Sequence, residues 1–203
     1  MFFRGTECRA KRCPAEVSRH ARLLLKMIND VLALSRLDAK KMSLDIDTVE
    51  VEEIIAHARA HVEQINRDNH LEVRWDIDRS VPPIVTDPIK LEEILQNLIG
   101  NAFKFTSKGR VEVRVRNLRD EDRIQFIVAD TGIGIETENL VRIFNEFEQV
   151  KEAHTGGFNG VGLGLSIVRK YLDLMQGDIR VESRPGQGST FTFSLPRSVS
   201  LSS

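Results

Sequence analysis

The feature that most constrains the fold is the stretch Asp130-Thr131-Gly132-Ile133-Gly134-Ile135, which follows an alternating apolar run over residues 124–129. Alternation of this kind predicts a β-strand that places Asp130 on the same side as its apolar residues. An unpaired carboxylate at the end of an apolar row is costly, so Asp130 needs a fixed hydrogen-bond donor. Gly132 and Gly134 allow a sharp turn and the close approach of a flat group. A purine amino group would meet both demands, although a simple strand-closing turn is the alternative.

A second signal lies in the predicted helix from Ile89 to about Phe105, which Asp87-Pro88 opens as N-cap and first helical residue. Its core-facing arc is predicted to contain Leu91, Leu95, Leu98, Ile99, Ala102 and Phe105. A separate narrow arc contains Asn97, Asn101 and Lys104. Because asparagine is unfavourable inside helices, this pair indicates a site, with an amide oxygen for Mg²⁺ and an amine for phosphate. Two incidental asparagines on a polar face are the alternative.

A third signal is a glycine-rich entry to a helix. The long polar loop over about residues 148–161 leads into Gly160-Val161-Gly162-Leu163-Gly164-Leu165, and a helix continues to about Met175. Glycines before a helix expose free amides, and together with the helix dipole these bind phosphate. A glycine-rich turn without a ligand is the alternative. We expect Gly177 to end the helix in a left-handed conformation.

Periodicity predicts the remaining elements. An amphipathic helix over about residues 15–42 has an apolar stripe that needs a partner helix, from this chain or from another copy. A second helix is predicted over 51–67 and a short one over 138–144, which is followed by Phe144 and Phe147 as a hydrophobic plug. Strands are predicted over 70–77, 110–117, 124–130, 178–183 and 189–195, with a possible edge strand near 44–47.

Composition excludes several function classes. The 203 residues are 41% hydrophobic with a formal net charge of −1, which gives no bulk surface for nucleic acid. The two cysteines, Cys8 and Cys13, have no matching Cys/His pair for zinc, and His57 and His61 are read as solvated helix residues. No apolar run approaches the ~20 residues of a membrane span, and the N-terminus is a poor signal peptide. We therefore expect a cytoplasmic protein.

The combination and order of these motifs carry a resemblance. The sequence has Asn97-x-x-x-Asn101-Ala102-x-Lys104-Phe105-Thr106, then Asp130-x-Gly132-x-Gly134, then Phe144-x-x-Phe147, then Gly160-x-Gly162-x-Gly164-Leu165. This series resembles the N, G1, F and G2 boxes of the catalytic ATP-binding domain of sensor histidine kinases, over roughly residues 44–196. The stretch from Leu23 to Asp38 resembles the second helix of that family's dimerisation and phosphoacceptor domain.

The resemblance implies an α+β fold, a two-layer α/β sandwich in which a mixed, mostly antiparallel sheet packs on three helices, preceded by a long amphipathic helix. It implies ATP and Mg²⁺ as ligands. Asp130 would accept from the adenine amino group, Asn101 would bind Mg²⁺ with help from Asn97, and Lys104 would contact phosphate. The remaining implied contacts with the nucleotide come from Gly132, Gly134, Ile135, Phe144, Gly160, Gly162, Leu163, Gly164, Leu165 and Thr190.

One departure from the family pattern affects the expected activity. The family's first helix holds the phosphorylated histidine in a His-Glu/Asp-x-Arg-x-Pro type of box, which this sequence lacks. His20 has neither an acidic residue immediately after it nor a following proline, so we read it as a surface residue, as we do His154. We thus expect a leader or disordered segment over 1–14, a partial dimerisation helix over 15–42, a catalytic ATP-binding domain over 43–197 and a tail over 198–203.

The resemblance implies γ-phosphoryl transfer from ATP to a histidine outside this chain or on a missing helix, followed by relay to a response regulator. A homodimer through residues 15–42 is also implied. A nucleotide-binding module without autokinase activity is one alternative. Another is an ATPase of the gyrase, chaperone and mismatch-repair type, in which the resemblance implies a glutamate four residues before the Mg²⁺ asparagine. That position is Asn97 here, which argues against hydrolysis.

Overall fold

The computed structural model describes residues 13–67, 71–148 and 162–199. The chain divides into two compact units, Met1–Met42 and Ser43–Ser203. In the first unit, helix α1 covers Cys13–Asp38 and ends four residues before the predicted boundary, with Lys40 left-handed at φ 51°. Among the α1 side chains whose burial is described, five large apolar ones are exposed, namely Leu24, Leu25, Ile28, Val31 and Leu32. Leu34 of the same helix is buried, so the apolar surface of α1 is uncovered only in part. No helix in the described parts of the chain is long and apolar enough to cross a membrane.

The second unit is built on an open five-stranded sheet. Its strands are β2 (Glu72–Ile77), β4 (Arg110–Leu118), β5 (Arg123–Asp130), β6 (Asp178–Arg184) and β7 (Gly188–Pro196), in the order β2-β4-β5-β7-β6. Only β2 and β4 pair in parallel, while the other neighbours are antiparallel. Two short strands, β1 (Asp47–Val49) and β3 (Ile84–Thr86), form a separate antiparallel pair. The predicted mixed, mostly antiparallel sheet is confirmed.

Three helices form a second layer: α2 (Val51–Ile65), α3 (Pro88–Phe105) and α4 (Gly164–Leu174). Helix α3 contacts both other helices, and α3 and α4 pack on the sheet. Side chains alternate between the two faces of the central strands. Those of the odd-numbered residues of β4 and the even-numbered residues of β5 lie in the core, where Val113 pairs with Val128. Phe126 pairs with Phe193 of β7, and their rings stack 4.8 Å apart. The two-layer α/β sandwich is therefore confirmed, with its core between the helices and one face of the sheet.

Helix α3, on which the polar arc lies, is fixed at its N-terminus by Asp87. One carboxylate oxygen accepts from the backbone amide of Lys90 at 3.0 Å, as an N-cap does, and Pro88 occupies the first turn. The other oxygen accepts from the amide of Asp45 at 3.0 Å. Asp87 is 3% exposed, so both contacts are shielded from water. The cap therefore anchors the segment before β1 as well as the start of α3.

Three local predictions were wrong. In α3 the side chain of Phe103 is buried, and that of Phe105, at the helix end, is 38% exposed. Only a 3-10 turn, Thr137–Asn139, and further turns occupy the predicted helix 138–144. The left-handed residue after α4 is Gln176 at φ 58°, whereas Gly177 donates its amide to Leu172 at 2.7 Å. Gly177 is required for space instead, because a Cβ there would lie 2.8 Å from the carbonyl oxygen of Ser194.

Candidate functional site

The carboxylate of Asp130 lies at the end of β5, on the core side of the sheet. Its Oδ1 accepts from the backbone amide of Gly132 at 2.8 Å and from Thr106 Oγ1 at 3.4 Å. The backbone amide of Ser189 also donates to the carboxylate. Burial raises the pKa of Asp130, and these hydrogen bonds oppose that shift only in part. The side chain is therefore fixed in position while its charged form lacks a full set of partners.

Glycines shape the turn after Asp130 because neighbouring backbone leaves no space for side chains. A Cβ at Gly132 would lie 2.2 Å from the carbonyl oxygen of Phe105, at the end of α3. Gly134 has φ +73°, and its Cβ would lie 2.0 Å from the carbonyl oxygen of Arg184. The amide of Ile135 donates to Ser183 Oγ at 2.8 Å. The turn is thus held between the end of α3 and the β6–β7 hairpin.

The polar arc of α3 is present as predicted. Asn97, Asn101 and Lys104 are all half-buried on this helix. The side-chain amide of Asn97 donates to the carbonyl of Glu93 at 2.9 Å. Asn101 makes no side-chain hydrogen bond to any residue that the structure describes, so its amide oxygen is available as a ligand for a hard cation.

Lys104 is a half-buried amine at the last turn of α3. No carboxylate in the described ranges pairs with it, and its Nζ lies 4.9 Å from the centre of the Phe105 ring. Burial lowers its pKa. A cation in this setting gains from an incoming anion more than a solvated lysine would, because part of its own hydration is already lost.

The glycine-rich stretch enters α4 beside α3. Gly162 is left-handed at φ +78°, Leu163 is buried, and Gly164 begins the helix. A Cβ at Gly164 would lie 2.9 Å from Asn97 Oδ1, so the start of α4 adjoins the polar arc of α3. Leu165 follows, half-buried, in the first turn of α4. Gly160 and His154 lie outside the described residues.

The two aromatic residues expected to form a plug differ in environment. The ring of Phe144 is half-buried, with the guanidinium of Arg169 lying 5.2 Å from its centre. Phe147 is 61% exposed and has a left-handed φ of 60°. The plug prediction is therefore wrong for Phe147, and the buried apolar residue of this segment is Ile143.

Thr190 does not reach the Asp130 carboxylate. It pairs with Ala129, and antiparallel partners share a face, so Thr190 lies on the opposite side of the sheet from Asp130. Its neighbour Ser189 is buried and contacts Asp130 instead. Thr106 is the second contact that sequence reasoning missed. For Ser189 the only available signal was its position as the first residue of the predicted strand 189–195, on the opposite face of that strand from Thr190.

The structure thus gathers three predicted groups around α3. The Asp130 turn abuts its C-terminal end through Gly132, the amide and amine side chains lie along it, and the Gly162–Gly164 entry to α4 abuts Asn97. The site offers a carboxylate acceptor beside the C-terminal end of α3 and an amine in the last turn of that helix. An amide oxygen and the backbone amides at the start of α4 lie further back along α3. This distribution suits a ligand with an amino-bearing flat group at one end and anionic groups at the other.

Comparison with known proteins agrees with this geometry. Residues 86–199 match the family model of the histidine kinase-, DNA gyrase B- and HSP90-like ATPases. The sensor histidine kinase RcsC of Escherichia coli strain K12 is 34% identical over 186 residues, which are 91% of this chain and 19% of RcsC. The chain therefore spans about a fifth of the length of this curated relative.

Solved structures give the same result. A crystal structure of full-length ShkA in complex with AMPPNP has a TM-score of 0.79 and 31% identity, covering 97% of this chain and 40% of that one. The nucleotide-free catalytic domain of the histidine kinase ThkA has a TM-score of 0.66 and 25% identity, covering 76% of this chain and 99% of that one. The chain belongs to the family of histidine kinase-, DNA gyrase B- and HSP90-like ATPases, and it contains the catalytic ATP-binding domain of a sensor histidine kinase.

Proposed function

We propose that this domain binds Mg²⁺·ATP and presents its γ-phosphoryl group to a histidine of a separate helix, for relay to the receiver domain of a response regulator. The observation that carries the proposal is the arrangement around α3. A half-buried carboxylate adjoins the C-terminal end of this helix. The helix itself provides an amide oxygen and an amine that has no carboxylate partner among the described residues, and the glycine-rich start of α4 adjoins Asn97. The relatives named as sensor histidine kinases support the reaction class. The proposed substrate, ATP, supports a cytoplasmic location.

Asp130 would accept a hydrogen bond from the adenine amino group. Its fixed position, set by Gly132 and Ser189, would orient the base without a conformational search. Gly132, Gly134 and Ile135 would form the wall of the base pocket, because side chains at either glycine would collide with backbone. Ser189 replaces Thr190 as the proposed support of this carboxylate.

Phosphate binding would fall to α3 and the start of α4. The amides of Gly162 and Gly164 would donate to the triphosphate at the positive end of the helix dipole, with Gly160, Leu163 and Leu165 completing the same segment. Lys104 would neutralise phosphate charge. Phe144 would border the site from the segment before the loop.

Asn101 fits a role as Mg²⁺ ligand because its half-buried amide oxygen makes no hydrogen bond within the described residues. Asn97 would assist from the same face of the helix. When bound, Mg²⁺ would supply charge neutralisation at the triphosphate. The domain itself would act by holding and orienting the nucleotide, while the acceptor helix would supply the attacking imidazole and any base.

Two measurements test the proposal. Isothermal titration with AMPPNP should give binding that weakens when Mg²⁺ is removed, and Asn101→Ala should lose most of that Mg²⁺ dependence. Labelled ATP should transfer an acid-labile phosphate to an added fragment that contains the first helix of the family's phosphoacceptor domain. Absence of binding by folded protein would refute the nucleotide site. Binding without transfer to the added fragment would favour a nucleotide-binding module.

The exposed apolar stripe of α1 supports a further part of the proposal, a homodimer through residues 15–42. A single amphipathic helix gains little from its apolar face in water until another helix covers it. Sedimentation of the chain before and after removal of residues 1–42 tests this, since the shorter chain should be monomeric.

A further inference from the structure

The segment from Arg142 to Glu148 contains a backbone conformation that its sequence does not favour. Phe147 has φ 60°, a region that residues with a side chain rarely adopt. It is also 61% exposed, so burial of its ring does not compensate for the conformation. Other contacts must hold this turn, and the neighbouring residues show which ones.

The carboxylate of Glu148 closes the turn across Phe147. One oxygen accepts from Arg142 at both Nε (2.9 Å) and Nη2 (2.6 Å), and the other accepts from Asn145 Nδ2 at 3.0 Å. The Arg142 hydrogen bond lowers the pKa of Glu148, and the same contact raises the pKa of Arg142. Three donors therefore fix residue 148 relative to residues 142 and 145.

The backbone of this fixed turn abuts the glycine-rich entry to α4. A Cβ at Gly162 would lie 2.7 Å from the carbonyl oxygen of Glu148 and 3.1 Å from the carbonyl carbon of Phe147. Further along, Glu146 pairs with Lys170 at 2.8 Å, which ties the same segment to α4. Any shift of the Phe147–Glu148 backbone would therefore change the position of Gly162.

We propose that Arg142 and Glu148 are positioning residues whose ion pair holds the Phe147–Glu148 backbone against Gly162, and so places the Gly162 and Gly164 amides for a triphosphate. The inference rests on the proposed function, because it assigns the phosphate end of the nucleotide to this glycine pair. It assigns the adenine end to Asp130, which is supported by a different part of the fold. Loss of the ion pair should therefore weaken triphosphate binding and leave nucleoside binding unchanged.

The test compares two ligands in the full chain with Mg²⁺ present: AMPPNP by isothermal titration, and adenosine by NMR titration. Glu148→Gln and Arg142→Gln should each lower AMPPNP affinity by about two- to fivefold, the range expected for an exposed ion pair. Their adenosine affinity should equal that of the wild type. The charge-exchanged double variant Arg142→Glu, Glu148→Arg should recover most of the AMPPNP affinity, and melting curves should confirm that every variant folds.

A matched control is the ion pair of Arg197 with Asp122, whose charged atoms lie 3.1 Å apart. Asp122 directly precedes β5, at the end of the strand opposite to Asp130. Asp122→Asn removes the same charge and should leave both affinities unchanged. Equal losses for AMPPNP and adenosine, no loss for AMPPNP, or no recovery in the double variant would each overturn the positioning role. Failure of the wild type to bind either ligand would overturn the proposed function itself, which is a distinguishable result.

Discussion

Replacing Asp130 with asparagine should weaken nucleotide binding and at the same time stabilise the fold at neutral pH. The two side chains have almost the same shape, so packing is preserved. Burial raises the pKa of Asp130 in the folded state, which means that the folded protein favours the protonated form. The stability contribution of this group is therefore highest below its usual pKa and decreases as pH rises through the higher folded value. An asparagine at position 130 has no charge to bury, so this loss of stability with rising pH disappears.

The loss of affinity follows from the hydrogen bonds already made. Oδ1 of Asp130 accepts from the Gly132 amide at 2.8 Å. An asparagine has a single acceptor oxygen, so either its NH₂ group faces the adenine amino group or it faces the Gly132 amide. In both orientations one donor meets another donor. A hydrogen bond to a charged group contributes about 1.5–3 kcal/mol, so affinity for AMPPNP should fall by about 10- to 150-fold.

Stability can be followed by urea unfolding with the fluorescence of Trp75, the single tryptophan, over a range of pH. Affinity is measured by isothermal titration. The control is Asp122→Asn at the start of β5, where the residue is exposed and left-handed at φ 51°, a conformation that asparagine tolerates. It should change neither quantity appreciably. Wild-type affinity in Asp130→Asn would refute the adenine assignment, and an unchanged pH dependence of stability would refute the electrostatic argument.

Three further predictions concern other parts of the structure. Phe193→Ala removes the ring stacked on Phe126 and should lower the free energy of unfolding by about 3–5 kcal/mol in the urea assay. Lys104→Met should raise stability at neutral pH, because burial disfavours the charged amine, while AMPPNP binds less tightly and adenosine is unaffected. A hydrogen bond to Glu92 at 2.5 Å, with a smaller contribution from the charge of Glu53, raises the pKa of His57. Wild-type stability should therefore fall as pH rises from the usual histidine pKa through this higher value, and Glu92→Gln should remove most of that pH dependence.

The central parts of the fold were predictable from sequence because local patterns and tertiary contacts agree there. Alternation along β5 placed Asp130 on the core face, and its burial pattern confirms this. The Asp87-Pro88 start of α3 was equally clear, and the observed N-cap bond matches it. In both cases a short stretch of sequence contains the whole physical reason for the structure.

The errors arose where distant residues decide. Gly177 matches the usual pattern of a left-handed helix cap, yet Gln176 adopts that conformation. The reason is the carbonyl of Ser194, on a strand far along the chain, which leaves no space for a side chain at residue 177. Thr190 was the expected contact because sequence does not give the strand register, which pairs Thr190 with Ala129 and so turns its side chain away from Asp130.

The direction of the pKa shifts distinguishes groups that are paired with an opposite charge from groups whose own charge is disfavoured by burial. Where an ion pair is structural, as between Arg142 and Glu148, each partner favours the charge of the other, and both pKa values shift towards the charged forms. Asp130 and Lys104 shift the opposite way, since burial disfavours their charges. Burial also lowers the pKa of His61. This imidazole is mostly neutral at pH 7 even at the usual histidine pKa, so the shift changes its charge little at that pH. Two oppositely charged groups, both short of partners and both adjoining the end of α3, are what a ligand with a donor at one end and anionic groups at the other would satisfy.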